Sequence, residues 1–345
     1  MDSHDEYRAS VQRIAGEIRR YAPPDIGERF AASSGFRPAS FLTFPSAFDG
    51  AVCAVDGSNA LLADGGSFAV AAIRASASSY RGGTRQCRVT TPLYTVAVHQ
   101  GGCNEDFAAL FSDCFASLPK APLEHDDPVR NAAVMRDTLE YWVAMEMAEN
   151  LDAGDLILID GTLRVRHASH DEILVRLMNL CSLRGILLAA VTKRTALTWG
   201  GGHPIVPATE GLARKLAVPE PWAVRISGRD DLVDREVSHP WKQRGEQYIT
   251  RLHRRSPRAF KVEVPGHMNR DMVEQTFSGL AAYADDGRIT GYPYPLLEAH
   301  LTTKIGKDTV DQVRQDLMQG MAEQGMSHVD YIQYFGDYHD EFDRY

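Results

Sequence analysis

Residues 51–58 of the chain read AVCAVDGS, and residues 156–162 read LILIDGT. Each stretch is an apolar run that stops at an aspartate, a glycine and a hydroxyl residue, which predicts a buried strand followed by a turn. A carboxylate at the end of a buried strand is costly unless it is paired, hydrogen-bonded or metal-bound. One copy alone is typical of an ordinary Asp-Gly turn. Two copies on neighbouring strands favour a functional site at Asp56 and Asp160.

The segments around these two motifs predict the order β-β-β-α-β-α-β. Strands over 51–55, 67–75 and 89–100, with a turn at 81–83, indicate an antiparallel meander. A helix over 128–150, a strand over 156–159, a helix over 171–183 and a strand over 185–191 follow. Such crossover units build parallel neighbours. The order is that of an α/β protein with a ribonuclease H-like core and a mixed sheet.

The ends of the chain are predicted to add helices to this core. Apolar positions at helical spacing predict an N-terminal helix over 7–22. Beyond the core, strands are predicted at 223–226 and 260–264, and helices at 269–284, 295–305 and 308–323. The expected organisation is a single domain over 1–345, with its core at about 50–306 and a helical, acidic tail over 307–345.

The composition restricts the class of protein. The chain has 345 residues, 44% of them hydrophobic, and a net charge of −9. This charge argues against a protein that coats nucleic acid along its whole surface, although it leaves room for a local basic channel. Five scattered cysteines without a C-x-x-C pair indicate reduced thiols rather than a zinc site. No apolar run is long enough to span a membrane, so a cytoplasmic location is expected.

Three enzyme classes place Asp-Gly-Ser/Thr after a strand. Haloacid-dehalogenase-like phosphatases need a nucleophilic aspartate two residues earlier, where this chain has Ala54 and Leu158, so that class is excluded. Actin-like ATPases and sugar kinases bind phosphate with two related loops and remain an alternative, although Gly57 follows Asp56 without the usual intervening residue. The third class is the metal-dependent nucleases, in which carboxylates from separate elements converge on two ions.

A third carboxylate is available on the helix that precedes the second motif. Glu140 lies four residues after Arg136, so the two side chains share a face of that helix. Glu146 and Glu149 are competing candidates on the same helix.

The chain resembles the NurA nucleases. The resemblance rests on the two Asp-Gly-Ser/Thr motifs, the Arg-x-x-x-Glu helix, the segment VTKRT at 191–195 and the segment GYPYPLLEAH at 291–300. It extends from about residue 50 to 306. It implies a manganese-dependent nuclease that degrades DNA from the 5′ end and cuts single strands. It also implies a homodimer that acts with the hexameric helicase HerA in DNA end resection during double-strand break repair.

The resemblance also implies a set of site residues. The implied metal ligands are Asp56, Glu140, Asp160 and His300, and Tyr292 is the implied tyrosine of the site. A nitrogen ligand among carboxylates suits Mn²⁺ better than Mg²⁺, which is a possible substitute; two ions are expected.

Other features of the sequence add one candidate and one alternative. Lys193, at the end of a predicted strand, is a candidate for stabilising charge in the transition state. A basic run of six residues between 251 and 261 is suited to phosphate contacts, and the glycine-rich segment 199–204 is read as a flexible loop. The tail over 331–345 is read as a docking segment or a disordered end. A non-catalytic subunit that binds DNA ends remains a further alternative.

Overall fold

The computed structural model describes residues 3–99, 104–123, 127–234 and 243–336. Within them the helices are α1 (Ser3–Tyr21), α2 (Ile26–Ser34), α3 (Glu105–Phe115), α4 (Pro128–Asn150), α5 (His170–Arg184), α6 (Ile205–Lys215), α7 (Arg270–Ala282), α8 (Tyr294–Thr303), α9 (Lys307–Glu323) and α10 (His328–Phe335). The strands are β1 (Phe41–Thr43), β2 (Val52–Asp64), β3 (Phe68–Arg81), β4 (Thr84–Thr90), β5 (Tyr94–His99), β6 (Leu156–Asp160), β7 (Leu187–Thr192), β8 (Leu197–Trp199), β9 (His203–Pro204), β10 (Trp222–Arg225), β11 (Leu232–Asp234), β12 (Gly245–Arg251) and β13 (Phe260–Pro265).

The chain divides into two compact units. Unit 1 comprises Met1–Gly50, Asp160–Arg164 and Leu187–Tyr294, and unit 2 comprises Ala51–Ile159, Val165–Ile186 and Pro295–Tyr345. The expectation of a single domain over 1–345 stays a prediction. No helix among the described residues is both long and apolar enough to cross a bilayer.

Unit 2 is built on a mixed sheet in the order β6-β2-β3-β4, with β5 also paired to β3. β2 and β6 are parallel, in a register that runs from Val52 opposite Leu156 to Val55 opposite Ile159. The paired segments, Val52–Val55 and Leu156–Ile159, are apolar and buried throughout, as expected for parallel strands covered on both faces. α4 packs against β2 and β3, and α5 packs against α4. The predicted neighbourhood of the two motif strands is therefore confirmed.

The first motif does not end its strand, and this part of the prediction is wrong. β2 continues for eight residues past Asp56, to Asp64. It continues because β3 pairs antiparallel with it along this length, with Asp56 opposite Ser76. This pairing provides hydrogen-bond partners for the backbone N–H and C=O groups of β2. The parallel pairing with β6 alone stops at Val55.

The predicted meander has the right turn but the wrong strand bounds. The turn is formed by Gly82 and Gly83, both with positive φ (57° and 78°), as a tight hairpin between two strands requires. β3 reaches Arg81, well beyond the predicted end at 75, and the predicted strand over 89–100 is divided between β4 and β5. The break comes at Thr91-Pro92, because proline has no N–H to donate to a ladder.

Unit 1 contains the strand order β1-β10-β12-β13-β7, antiparallel throughout, and a small sheet in the order β11-β8-β9. Its core includes Phe30, Trp199 and Trp222. α2 and α6 approach closely where Gly27 faces Gly211, since a Cβ on Gly27 would lie 2.5 Å from the backbone of Gly211. This packing holds α6 against α2.

Candidate active site

Asp56 is a buried carboxylate in the middle of β2, with 4% of the residue exposed. Its Oδ1 accepts a hydrogen bond of 2.9 Å from the backbone N–H of Gly57. Its Oδ2 lies 2.9 Å from Nδ1 of His300, the histidine at the end of the GYPYPLLEAH segment. The structure therefore brings together two predicted site residues that are 244 positions apart in the chain.

α8 holds His300 against Asp56 by anchoring its own preceding turn to the sheet. The hydroxyl of Ser76, which is opposite Asp56 on β3, donates to the carbonyl of Ala299 at 3.2 Å. Glu298 is largely buried and forms ion pairs with Arg85, at 3.2 Å, and with Arg88, both on β4. The Glu-Ala-His segment therefore positions the histidine. Glu298 and the carbonyl of Ala299 hold α8 against the sheet, and the exposed His300 faces the carboxylate of Asp56.

The far end of α8 is fixed by a single arginine of β3. Arg74 donates to the carbonyl of Thr303 at 3.0 Å and to that of Lys304 at 2.8 Å. The carbonyl of Thr303 is at the end of the helix, where the last turn has no further backbone N–H to pair with it, and that of Lys304 directly follows. The cation also complements the negative end of the helix dipole.

Glu140 is the helix glutamate that meets the first motif. It is largely buried on α4, whereas Glu146 and Glu149 are exposed. A Cβ on Gly57 would lie 2.5 Å from Oε1 of Glu140, so the carboxylate occupies the space that this glycine leaves. The Asp-Gly sequence is therefore explained by the close approach of a second carboxylate to the residue after Asp56.

Arg136 lies on the same face of α4 and holds Glu140 in place. Its Nε is 3.1 Å from Oε1 of Glu140, and its Nη2 is 2.5 Å from Asp137. Although burial alone would lower the pKa of this guanidinium, the nearby charges of Glu140, Asp137 and Asp56 raise it. Arg136 is a permanent cation beside two of the predicted metal ligands.

Asp137 is a supporting residue that the sequence analysis did not single out. Burial alone would raise its pKa, but the charges of Arg136 and Arg166, with a smaller contribution from His170, lower it, so the carboxylate stays ionised. His170 is fully buried, and burial lowers its pKa to about 4. The Arg-Asp pair at 136–137 is the sequence signal for this support.

In unit 1, Asp160 forms an ion pair with Lys193. The distance from Nζ of Lys193 to Oδ2 of Asp160 is 2.5 Å, so two more predicted site residues are in contact. Gly161 has a φ of 127°, a conformation that favours glycine. Its backbone N–H donates to Val191, and its carbonyl accepts from the hydroxyl of Thr192 at 2.7 Å. The second motif thus forms the turn that was predicted for both.

A side-chain hydrogen bond connects the chain after the second motif to β13. Oε2 of Glu263 accepts a hydrogen bond of 2.7 Å from the backbone N–H of Leu163. Glu263 is itself fully buried and is ion-paired with Lys261 at 2.7 Å. A buried carboxylate with both a cation and a backbone donor is well satisfied. It fixes the loop that begins at Asp160.

The parallel pairing of β2 with β6 ends at the residues that precede the two aspartates. Val55 and Ile159 are the last paired residues of the parallel ladder. Asp56 and Asp160 are the next residues along these two strands.

Tyr292 lies elsewhere in unit 1, half-buried, with its ring centroid 5.8 Å from that of Phe260. The preceding Gly291 has a φ of 94°, and a Cβ there would lie 2.1 Å from the hydroxyl oxygen of Ser256. The Gly-Tyr-Pro sequence therefore has a packing explanation, and the role of Tyr292 in the site stays a prediction.

Comparison with known proteins finds a family model that matches part of the chain. Residues 50–198, less than half of the chain, match the NurA domain model. This segment is similar to the NurA domain. The matched segment contains Asp56, Glu140, Asp160 and Lys193, whereas Tyr292 and His300 lie beyond it. No sequence among curated proteins matches the chain.

Solved structures resemble this chain at low identity. The NurA nuclease from Sulfolobus solfataricus is 13% identical, with a TM-score of 0.52, over 95% of this chain and 99% of that one. A structure of NurA bound to dAMP and manganese is 12% identical, with a TM-score of 0.49, over 87% and 94%. Human endonuclease V is 13% identical, with a TM-score of 0.39, over 76% and 85%. The Sulfolobus structure confirms the predicted fold class, an α/β protein with a ribonuclease H-like core.

The four predicted metal ligands fit a divalent metal by their chemistry. Carboxylate oxygens and one histidine nitrogen are suitable donors for Mn²⁺, and Gly57 provides the space in which Glu140 approaches the backbone beside Asp56. Within the ranges that the structure describes, however, no three His, Cys, Asp or Glu side chains are grouped as a metal site. Instead Glu140 contacts Arg136, Asp160 contacts Lys193 and Asp56 contacts His300.

Part of the basic run between 251 and 261 is paired with acidic residues of the chain itself. Arg251 is ion-paired with Glu210 at 2.8 Å and Glu220 at 2.7 Å, and Arg255 with Asp285. Arg254 and Arg258 are exposed. Fewer residues of the basic run are therefore available for phosphate contacts than predicted, because acidic residues that are distant in sequence neutralise part of its charge. Of the predicted tail, residues 337–345 lie outside the described residues.

Proposed function

We propose that this chain is a metal-dependent DNA nuclease whose site residues are Asp56, Glu140, Asp160, His300 and Lys193. The observation that carries the proposal is the parallel register of β2 and β6, whose last residue pair, Val55 and Ile159, directly precedes Asp56 and Asp160 in the sequence. Glu140, pressed against Gly57, adds a carboxylate from a third element. The match of residues 50–198 to the NurA domain model supports the proposal, since a solved NurA structure, that from Sulfolobus solfataricus, is described as a nuclease.

The proposed mechanism is hydrolysis of a phosphodiester bond with two bound metal ions. Asp56, Glu140, Asp160 and His300 would hold the ions, which supply a lowered pKa for the attacking water and positive charge at the phosphate. Oδ1 of Asp56 is turned to the N–H of Gly57 and Oδ2 to His300, so the orientation of this carboxylate is fixed in advance. The ammonium of Lys193 adds positive charge for the transition state.

Manganese is the proposed metal. The donor set combines carboxylate oxygens with an imidazole nitrogen, which Mn²⁺ accepts more readily than Mg²⁺ does. Mg²⁺ is the proposed weaker substitute.

The position of the first motif disfavours the ATPase alternative. A phosphate-binding loop needs consecutive backbone N–H groups that are free to face the phosphate. Asp56, Gly57 and Ser58 instead lie inside β2, each paired with a residue of β3. Only the second motif forms a turn, so the pair of phosphate loops that such ATPases require is not formed.

The proposed substrate is DNA at a broken end. By family resemblance we propose 5′-to-3′ degradation, cutting of single strands, and work with a HerA-type helicase in end resection during double-strand break repair. A function on chromosomal DNA implies a cytoplasmic location.

The first test is a cleavage assay with end-labelled single- and double-stranded DNA in Mn²⁺, Mg²⁺ or EDTA. We expect degradation in Mn²⁺, less in Mg²⁺ and none in EDTA, with the fate of the 5′ label reporting polarity. The same reactions with a HerA-type helicase and ATP are expected to degrade duplex DNA faster. DNA binding without products under every condition would instead support the non-catalytic end-binding subunit, and ATP hydrolysis by this chain alone would support the ATPase.

The exposed face of α1 supports a homodimer. Its apolar side chains recur at alternating spacings of four and three residues, the pattern of a two-stranded coiled coil. Their exposed fractions run from 43% to 65%, and they are Tyr7, Val11, Ile14, Ile18 and Tyr21. A stripe of this spacing is self-complementary, so we propose that α1 pairs with α1 of a second copy.

The double substitution Ile14→Glu and Ile18→Glu is expected to convert the protein from the mass of two chains to that of one, because it places like charges along the stripe. Light scattering after gel filtration measures this. Ala9→Glu with Gln12→Glu adds the same charge to the opposite face of α1 and should leave the mass of two chains. A dimer that survives the first pair, or is lost with both pairs, would rule out this use of α1.

A further inference from the structure

Lys261 and Glu263 form a buried ion pair on β13. Lys261 is 3% exposed and Glu263 is fully buried, and the ammonium nitrogen lies 2.7 Å from Oε1 of the carboxylate. The two side chains share a face of the sheet, because they are two residues apart on one strand. Moving both charges out of water is costly, and apolar residues of similar volume in their place often make an equally or more stable protein. The stability of β13 by itself therefore does not explain this pair.

The second carboxylate oxygen of Glu263 holds a residue 100 positions away. Oε2 accepts a hydrogen bond of 2.7 Å from the backbone N–H of Leu163 and one of 2.8 Å from the side-chain amide of Gln243. The carbonyl of Leu163 accepts from the backbone N–H of Arg244 at 3.1 Å. Leu163 is fully buried, so its backbone polar groups need partners within the protein. Glu263 provides the partner of its N–H.

The side chain of Leu163 is also closely packed at this point. Gly245 lies on β12, and a Cβ there would be 3.0 Å from the Cβ atoms of both Leu163 and Glu263. A larger residue would therefore press on the contact between them. The glycine permits Leu163 to approach β13 closely enough for the hydrogen bond to form.

The same segment is anchored a second time, two residues earlier, on β7. The backbone N–H of Gly161 donates to the carbonyl of Val191 at 2.9 Å, and the carbonyl of Gly161 accepts from the hydroxyl of Thr192 at 2.7 Å. Thr192 is directly opposite Lys261 in the antiparallel ladder of β7 and β13. The two anchors of the segment therefore lie on adjacent strands, and the buried ion pair forms part of the second one.

Asp160 begins the segment that is held in this way. It is one residue before the first anchor and three before the second, and its Oδ2 lies 2.5 Å from Nζ of Lys193. Gly161 has a φ of 127°, so the chain turns directly after Asp160. A turn that is held at one point can pivot about it, whereas a turn held on two strands cannot. Both anchors therefore fix the direction in which Asp160 presents its carboxylate.

We propose that Glu263 is a positioning residue of the metal site, and that it fixes the carboxylate of Asp160 through the backbone of Leu163. The inference rests on the proposed function, in which Asp160 holds a metal ion. Glu263 is not itself placed among the ligands, because its Oε1 is bonded to Lys261 and its Oε2 to Leu163 and Gln243. Residues that orient a metal ligand in this way change metal affinity or activity by roughly 10–100-fold.

The test is calorimetric titration of the full chain with Mn²⁺. Two double variants remove the ion pair and differ only in whether position 263 can accept a hydrogen bond. Lys261→Met with Glu263→Gln keeps an acceptor for the N–H of Leu163, and we expect it to bind Mn²⁺ within about twofold of the wild type. Lys261→Met with Glu263→Leu removes the acceptor and should bind Mn²⁺ about tenfold or more weakly.

Both double variants are expected to fold, since neither leaves a buried charge unpaired. Thermal unfolding in EDTA checks this, and the leucine variant should melt at the lower temperature because the N–H of Leu163 loses its acceptor. Gly245→Ala is a milder second variant that presses on Leu163 without removing any charge. It should weaken Mn²⁺ binding in the same direction, by less than about tenfold.

Asp155→Ala is the matched control for a general loss of stability. Asp155 is also a buried acid, 2% exposed, that pairs with Arg81 and accepts from a distant backbone N–H, that of Ala51, at 2.7 Å. It directly precedes β6, whereas Asp160 is the last residue of that strand. The control should lower the melting temperature and leave Mn²⁺ binding unchanged.

The positioning role of Glu263 would be overturned by wild-type Mn²⁺ binding in the leucine double variant or in Gly245→Ala. Equal weakening in the glutamine and leucine double variants would overturn it too, because the hydrogen bond to Leu163 would then not be the cause. The same weakening in Asp155→Ala would show that any loss of stability weakens the metal site.

Cleavage of labelled DNA by the same preparations separates this inference from the proposed function. If the wild type cleaves DNA in Mn²⁺ and the leucine double variant binds Mn²⁺ normally, the positioning role fails and the nuclease stands. If the wild type binds Mn²⁺ without cleaving DNA and the leucine double variant loses Mn²⁺, the nuclease fails and the positioning role stands. A wild type that neither binds Mn²⁺ nor cleaves DNA would overturn both.

Discussion

Asp56→Asn is expected to abolish metal-dependent DNA cleavage without lowering the melting temperature. Asparagine keeps the size of the side chain but removes the charge that holds a cation. Loss of a residue that merely supports a metal ligand costs roughly 10–100-fold, so loss of the ligand itself should cost at least about 100-fold. A gel assay with labelled DNA in Mn²⁺ measures the loss.

The stability of Asp56→Asn, unlike its cleavage activity, is expected to be equal to or higher than that of the wild type. Asp56 is 4% exposed, and its charge is buried beside His300 and within the field of the Arg136 guanidinium. The amide oxygen of asparagine still accepts from the N–H of Gly57, so the neutral residue keeps a hydrogen bond and avoids the cost of a buried charge. Sites that bind ligands commonly trade stability for function in this way. Thermal unfolding in EDTA should show an equal or higher midpoint.

Asp64→Asn, at the exposed end of the same strand, is the control and should leave cleavage unchanged. Asp160→Asn should reproduce the loss seen with Asp56→Asn. If either Asp56→Asn or Asp160→Asn cleaves at the wild-type rate, the assignment of the site is wrong. An Asp56→Asn variant that unfolds would point to a structural role instead.

Local signals predicted the elements that position the site. The bounds of α4 were predicted correctly, since Asp127 caps its N-terminus by accepting from Val129 and Arg130, and Pro128 suits the first helical position. The apolar run before Asp160 likewise predicted β6. In both cases the determinants lie within a few residues of the element itself.

Non-local pairing explains what the sequence did not reveal. Asp-Gly signals a turn, and only the partnership with β3 shows that Asp56 lies inside a long strand. The choice of Glu140 over Glu146 and Glu149 depends on which helix face meets Gly57, which no spacing within α4 determines. The basic run loses part of its charge to Glu210, Glu220 and Asp285, because the fold brings these distant acids to Arg251 and Arg255.

Gly57→Ala is expected to reduce cleavage about 10–100-fold and to lower the free energy of unfolding by about 1–3 kcal/mol. The new methyl group would lie 2.5 Å from Oε1 of Glu140 and 2.8 Å from Cγ of Arg136. The side chains of Glu140 and Arg136 cannot readily move away from this methyl group, because Asp137 holds Arg136 by an ion pair of 2.5 Å. Glu140 must then leave its place beside Asp56. Denaturant unfolding and the cleavage assay measure the two effects.

Gly320→Ala is the control for the substitution itself, since nothing lies within 4 Å of a Cβ at this position of α9. It should leave cleavage unchanged and stabilise the helix slightly. The double variant Gly57→Ala with Glu140→Asp tests the cause, because the shorter acid makes room for the methyl group. It should recover part of the lost stability but not the cleavage, as the carboxylate no longer reaches the same point. If Gly57→Ala cleaves and unfolds like the wild type, the contact between Glu140 and the first motif is not the one that forms the site.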